Sequence, residues 1–133
     1  MASIRKSLSI GIDPARAWDA FRDVGAIHTR LARGFVTNTE LEGDTRTVTF
    51  ANGLVVREQI VTIDDAARRL VYSASGGRTT HHNASFEVLD DGAGRARVIW
   101  TTDLLPNEAA PAVAAMIEQG FAAIQATLER DAD

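Results

Sequence analysis

Between Ala2 and Ile12 apolar and polar positions alternate, with Ile4, Leu8 and Ile10 on one parity and Arg5, Ser7 and Ser9 on the other. A period of two marks a strand with one buried face. Asp13-Pro14 stops the alternation. Asp caps helices well and Pro is tolerated at the first helical position, so a helix is predicted from Pro14 to about Val24. Ala17, Trp18, Phe21 and Val24 give it an apolar stripe at the three-and-four spacing of a buried helical face. Gly25 ends this helix, and a second short one is expected over Ala26 to Leu31, before Gly34.

From Phe35 to Leu104 the period returns to two, and turn signals recur at Glu42-Gly43-Asp44, Ala51-Asn52-Gly53, Asp64-Asp65-Ala66, Ser75-Gly76-Gly77 and Asp90-Asp91-Gly92. They divide the segment into six strands, near 35–42, 45–51, 54–63, 69–75, 79–89 and 95–104. Strands joined by tight turns make an antiparallel meander. After Pro106-Asn107 the period lengthens again, and a helix is expected from about Asn107 to Glu129 with Val113, Met116, Ile117, Gly120, Phe121, Ile124 and Leu128 as its apolar stripe. One sheet and one long amphipathic helix make an α+β two-layer fold. If the sheet curves strongly, a single helix cannot fill its concavity, and a pocket lined by the inward parity of each strand remains.

Composition narrows the chemistry. The chain has 133 residues, 45% hydrophobic and 24% charged, which suits a single globular domain over 1–133. No apolar run reaches the ~20 residues of a bilayer-spanning helix, and the N-terminal alternation is unlike a secretory signal, so a cytoplasmic protein without membrane insertion is expected. Cysteine is absent, which removes disulfides, thiol nucleophiles and thiolate metal sites. Of 14 basic residues only Lys6 is a lysine, leaving little for Schiff-base chemistry. The net charge of −4 and the scattered arginines argue against a nucleic-acid partner. A monomer or a homodimer fits equally, and no cofactor or metal is implied.

The run Asp13-Pro14-Ala15-Arg16-Ala17-Trp18-Asp19-Ala20-Phe21 resembles the opening helix of the helix-grip superfamily, which includes the major birch pollen allergen, polyketide cyclases/dehydrases and START lipid-transfer domains. The likeness continues through Gly34-Phe35-Val36, Phe50-Ala51-Asn52-Gly53, Arg57-Glu58, Arg69-Leu70-Val71-Tyr72, His81-His82-Asn83-Ala84-Ser85 and Trp100-Thr101-Thr102-Asp103-Leu104-Leu105-Pro106, most like the small bacterial polyketide cyclase/dehydrase-like proteins. The resemblance implies a curved seven-stranded antiparallel sheet wrapped around a long C-terminal helix, with two short helices after the first strand. It leaves function open between ligand carriers and enzymes, because fold alone does not choose.

Strand parity selects the side chains that see the pocket. In 79–89, His82 shares the parity of Ala84, Phe86 and Val88, which turns His81 outward. The inward sets elsewhere are Phe35, Thr37, Thr39 and Leu41; Val48 and Phe50, with Arg46 nearer the rim; Leu70, Tyr72 and Ala74; and Ala96, Val98, Trp100, Thr102 and Leu104. The strand at 54–63 is ambiguous, since Leu54, Val56 and Ile60 carry Glu58 inward whereas Val55, Val61 and Ile63 carry Arg57 and Gln59; Glu58 is favoured narrowly. The expected cavity wall is Phe35, Phe50, Tyr72, His82 and Trp100, closed on the helix by Met116, Gly120 and Phe121. His82 is the candidate general acid or base, and Glu58 its candidate partner. The plainer alternatives are a neutral core histidine and a Glu58 salt bridge to Arg46 or Arg57, because a buried carboxylate needs a cation or a proton. Asp103 turns outward by regular alternation. Two functions follow: binding of a small hydrophobic or aromatic molecule, or cofactor-free acid–base catalysis of cyclase, dehydratase or hydrolase type on a carbonyl substrate.

Overall fold

In the computed structural model, which describes residues 2–132, Asp13 caps the first helix, its carboxylate accepting from the backbone N–H groups of Ala15 and Arg16 at 3.1 and 3.3 Å. That helix, α1 (Pro14–Arg22), follows β1 (Ala2–Ile10) and stops before Val24, because Asp23 leaves helical geometry at φ −82°, ψ 72°. The predicted second helix is a single π-helical turn, Ile27–Leu31. Arg30 ties this turn to α1 through Asp19 and Asp23 at 2.6 and 2.9 Å.

The meander comprises β2 (Val36–Glu42), β3 (Thr45–Phe50), β4 (Val55–Asp64), β5 (Arg69–Ser75), β6 (His81–Asp90) and β7 (Ala96–Leu105). All pairings are antiparallel in the order β1-β7-β6-β5-β4-β3-β2, so β1 returns to the far side of β7. A 3₁₀ turn, Asn107–Ala109, leads into the long helix α2 (Ala110–Asp131), which buries Ile117, Gly120, Phe121, Ile124, Thr127 and Leu128. The seven-stranded sheet and C-terminal helix are the helix-grip architecture. Phe86 is the hub of the core: its ring centroid lies 4.8 Å from that of Phe21 on α1 and 4.5 Å from that of Trp100, which meets Phe121 of α2 edge-on at 5.4 Å.

Two bulges correct the parity reading. In β2 the register slips between Val36 and Asn38, so Thr37 is the extra residue. Val36 and Thr39 are buried, Thr37 is exposed, and Leu41 at the sheet edge is 47% exposed rather than inward. In β4 the slip falls between Ile60 and Thr62. Before it, Val56, Glu58 and Ile60 face inward while Val55 and Val61 are exposed; after it, Ile63 stands opposite inward-facing Leu70. An extra residue reverses the alternation, which is why two apolar parities coexist in one strand.

Candidate functional site

The bulged strands, the π-helical turn and α2 enclose a cavity of about 60 Å³. At ~10–15 Å³ per water in such a space, it has room for about four to six waters. Its wall is largely apolar: Ile27 and Leu31 from the π turn, Phe35 and Phe50, Val48 and Leu70 from the sheet, and Phe86 and Trp100 from the deeper strands. Phe35 and Phe50 meet edge-on at 5.2 Å. Gly120 and Ile124 of α2 complete the wall. A Cβ at Gly120 would come within 3.0 Å of two Trp100 ring carbons and 3.3 Å of Phe35, so the missing side chain is what lets both rings lie on the helix backbone.

Among these apolar groups stands an ion pair. Arg46 and Glu58 are cross-strand partners on β3 and β4, and Arg46 Nε donates to Glu58 Oε1 at 2.6 Å. Their exposures are 3% and 8%, so Glu58 points inward and Arg46, expected nearer the rim, is buried. A cross-strand carboxylate and a backbone carbonyl make that burial tolerable, for Arg46 Nη1 also donates to the Val24 carbonyl at 3.2 Å. The guanidinium carbon lies 5.1 Å from the Tyr72 ring centroid, within cation–π range. Burial raises the Tyr72 phenol above its ordinary pKa and the Glu58 charge adds to this, while Arg46 and the Trp100 indole act weakly the other way. The phenol therefore stays protonated as a donor.

Of the predicted wall, Phe35, Phe50, Glu58, Tyr72, Trp100 and Gly120 line the cavity. Phe121 lies one layer back, behind Trp100, and half-buried Met116 is not among the lining residues. His82 has the inward parity of Ala84 but sits beyond the last β5–β6 pair, Ser73↔Asn83, opposite Leu104. It does not line the cavity. Burial lowers its pKa, and the neighbouring His81 adds to the effect. The Glu58–His82 couple is therefore not assembled; Glu58 is engaged by Arg46 instead. Asp103 faces outward as alternation requires, accepting from Ser3 Oγ at 2.6 Å and Asn83 Nδ2 at 3.1 Å, and these bonds hold its pKa below the ordinary carboxylate range. Among the described residues, no group of three His, Asp or Glu side chains is placed to hold a metal.

Arg46 has the inward parity expected of it and makes the Glu58 salt bridge that the sequence offered as an alternative, but it is buried rather than near the rim. A signal was present: a hairpin centred on Ala51-Asn52-Gly53 places Thr49 opposite Val55, and the same register carries Arg46 to Glu58.

A family profile described as polyketide cyclase / dehydrase and lipid transport matches residues 1–129. Among solved structures, a Thermobifida fusca protein is 27% identical, with TM-score 0.79 over 97% of this chain and 91% of that one. The chain is also similar in fold to norcoclaurine synthase from Thalictrum flavum, solved with a transition-state analogue, at 18% identity and TM-score 0.76 over 99% and 96% of the two chains. The Zhui aromatase/cyclase of a Streptomyces species superposes with TM-score 0.73 at 14% identity, over 98% and 93%. No curated protein matches the chain.

Proposed function

The chain belongs to the polyketide cyclase / dehydrase and lipid transport family, and from that premise we propose that it binds a small hydrophobic or aromatic molecule in the cavity between the sheet and α2. The observation that carries this reading is the wall itself: aromatic rings from Phe35, Phe50, Phe86 and Trp100 enclose space beside a buried, hydrogen-bonded Arg46–Glu58 pair. Apolar walls with a few placed polar groups are the usual composition of a small-molecule site. The reading includes one ligand-binding domain over 1–133, acting in the cytoplasm as a monomer or homodimer, without a nucleic-acid partner. Its support is the net charge of −4 and the fact that no helix among the described residues is long and apolar enough to cross a membrane.

A second reading, a cofactor-free acid–base enzyme of cyclase type, draws on the family description and on the aromatase/cyclase likeness. The ionisable groups available to it at the cavity are Glu58 and Tyr72, not His82. A fluorescence titration tests binding. An apolar probe should saturate at one per chain and change Trp100 emission, and Trp100→Phe should lose most of the response. Trp18, a buried residue of α1 whose indole donates to Asp65 at 2.9 Å and which does not line the cavity, serves as the internal control. A response carried by Trp18 would place the ligand elsewhere, and consumption of a carbonyl-bearing probe would favour the enzyme.

A further inference from the structure

Three polar side chains line the cavity, Arg46, Glu58 and Tyr72, and their hydrogen-bonding capacity is only partly used. Arg46 spends Nε on Glu58 and Nη1 on Val24, but Nη2 has no protein partner among the described residues. Glu58 Oε2, and the Tyr72 hydroxyl as a donor, have none either among the described residues, and all three side chains line the cavity. The Trp100 indole N–H is fully buried with no well-formed hydrogen bond among the described residues, and it does not face the open space of the cavity. Such a donor carries a desolvation cost unless something else satisfies it.

We propose that Arg46 is the specificity-determining residue of this cavity, and that it selects a one-ring aromatic molecule bearing a neutral oxygen, a hydroxyl or a carbonyl. This deepens the binding function proposed above and rests on it. The size follows from the volume, since about 60 Å³ with space for four to six waters limits an occupant to a single ring. The polarity follows from counting groups. Arg46 Nη2 and the Tyr72 hydroxyl can both donate, so an acceptor oxygen is the complementary group. A hydroxyl gains one more partner by donating to Glu58 Oε2. The neutrality follows from charge: Arg46 and Glu58 already cancel, so an entering carboxylate adds an uncompensated negative charge beside Glu58 in a buried site. The guanidinium is also pre-positioned, fixed by Glu58, by the Val24 carbonyl and by its stacking on Tyr72, so little order remains to be imposed on binding.

The test compares benzene, phenol and benzoate, one ring with three heads, by amide chemical-shift titration of the whole chain. Phenol should bind about tenfold or more tightly than benzene, the effect of a hydrogen bond to a charged group. Benzoate should bind no better than benzene. Arg46→Met alone leaves Glu58 buried without its cation and endangers folding, so the decisive variant is Arg46→Met with Glu58→Leu, an apolar replacement of the whole pair. In that variant the preference for phenol over benzene should fall to the few-fold level of one neutral hydrogen bond from Tyr72, with benzene still bound. Equal affinities in the wild type, or benzoate tightest, would overturn the role of Arg46 while leaving the binding function standing. Absence of shifts at cavity residues with all three probes would overturn the binding function, and the selection with it.

Discussion

The two halves of the sheet are built differently. From β1 through β7 to β6 the register runs without a break, Ala2↔Leu104 to Ile10↔Ala96 and then His81↔Leu105 to Asp90↔Ala96. In the other half, β2 and β4 each carry a bulge. The inner face of the regular half buries Val98 and Leu104 completely and gives the cavity only the Phe86 and Trp100 rings, whereas the bulged half carries Arg46, Glu58 and the polar side of the cavity. Bulges bend a strand and re-aim its side chains. In this molecule the interruptions of the sheet and the candidate chemistry occur together, while His82, which looked most like chemistry in the sequence, lies on the uninterrupted half.

The sharpest way to break this contrast is to unpair the buried ions. Glu58→Ala leaves a buried guanidinium without its carboxylate and should cost about 3–5 kcal/mol in urea denaturation, whereas replacing both partners by apolar residues should return stability close to that of the wild type. On the regular half, Lys6→Ala removes only the exposed 2.8 Å bridge to Glu118 and should cost about 0–1 kcal/mol. If the two losses are similar, the pair is not buried as described.

Packing is the next discriminator. Leu104→Ala should cost about 2–5 kcal/mol, because the residue is 0% exposed and its neighbours cannot collapse far. Phe50→Ala removes a larger side chain but from a half-buried position beside existing space, and it should cost less than Leu104→Ala. The reverse order would mean that the cavity is a filled core.

Gly120→Ala sets two effects against each other: a gain of about 1 kcal/mol in helix propensity and an overpacking cost of about 1–3 kcal/mol, since the new methyl lies 3.0 Å from Trp100. The net should be a loss of up to about 2 kcal/mol with shifted Trp100 emission and weaker probe binding. A stabilised variant with unchanged emission would show that the ring is free to move away.

The smallest effect belongs to His82. Its folded pKa lies below the ordinary value near 6.5, so between the two values the unfolded chain binds more protons than the folded one. Its contribution is therefore present above about pH 6.5 and is lost as pH falls toward the folded pKa. His82→Gln should flatten that part of the stability profile. In an NMR titration, the His82 midpoint should lie below the ordinary value and not respond to a cavity ligand. A ligand-dependent midpoint would return it to the site.

Much of this was legible in the chain. Turn residues placed all six meander strands within two residues of their observed starts, because Gly and Asn-Gly turns end strands for steric reasons that are local. The aromatic wall was legible through parity. Parity failed at Thr37 and Val61, where one extra residue reverses the alternation without altering composition. The Arg46–Glu58 bridge was legible as an alternative, but its depth was not, because parity gives no position along the strand and a charge is expected at a rim. His82 was overread because parity gives the face of a sheet but not the position along it.

The place of β1 in the sheet has a consequence in time. Ser3 and Asp103 lie 100 residues apart in sequence and are joined by a 2.6 Å hydrogen bond. As the chain emerges during synthesis, β2 to β6 can pair in turn through short hairpins, but β1, the first strand made, has no neighbour until β7 follows. The half that carries the polar wall of the cavity is thus built from local closures, and the regular half is completed last by the longest one, which is slow for reasons of chain entropy. Until then β1 is an unpaired strand on a nascent protein, and the alternating Arg5, Ser7 and Ser9 on its outer face keep it a poor template for association with other chains.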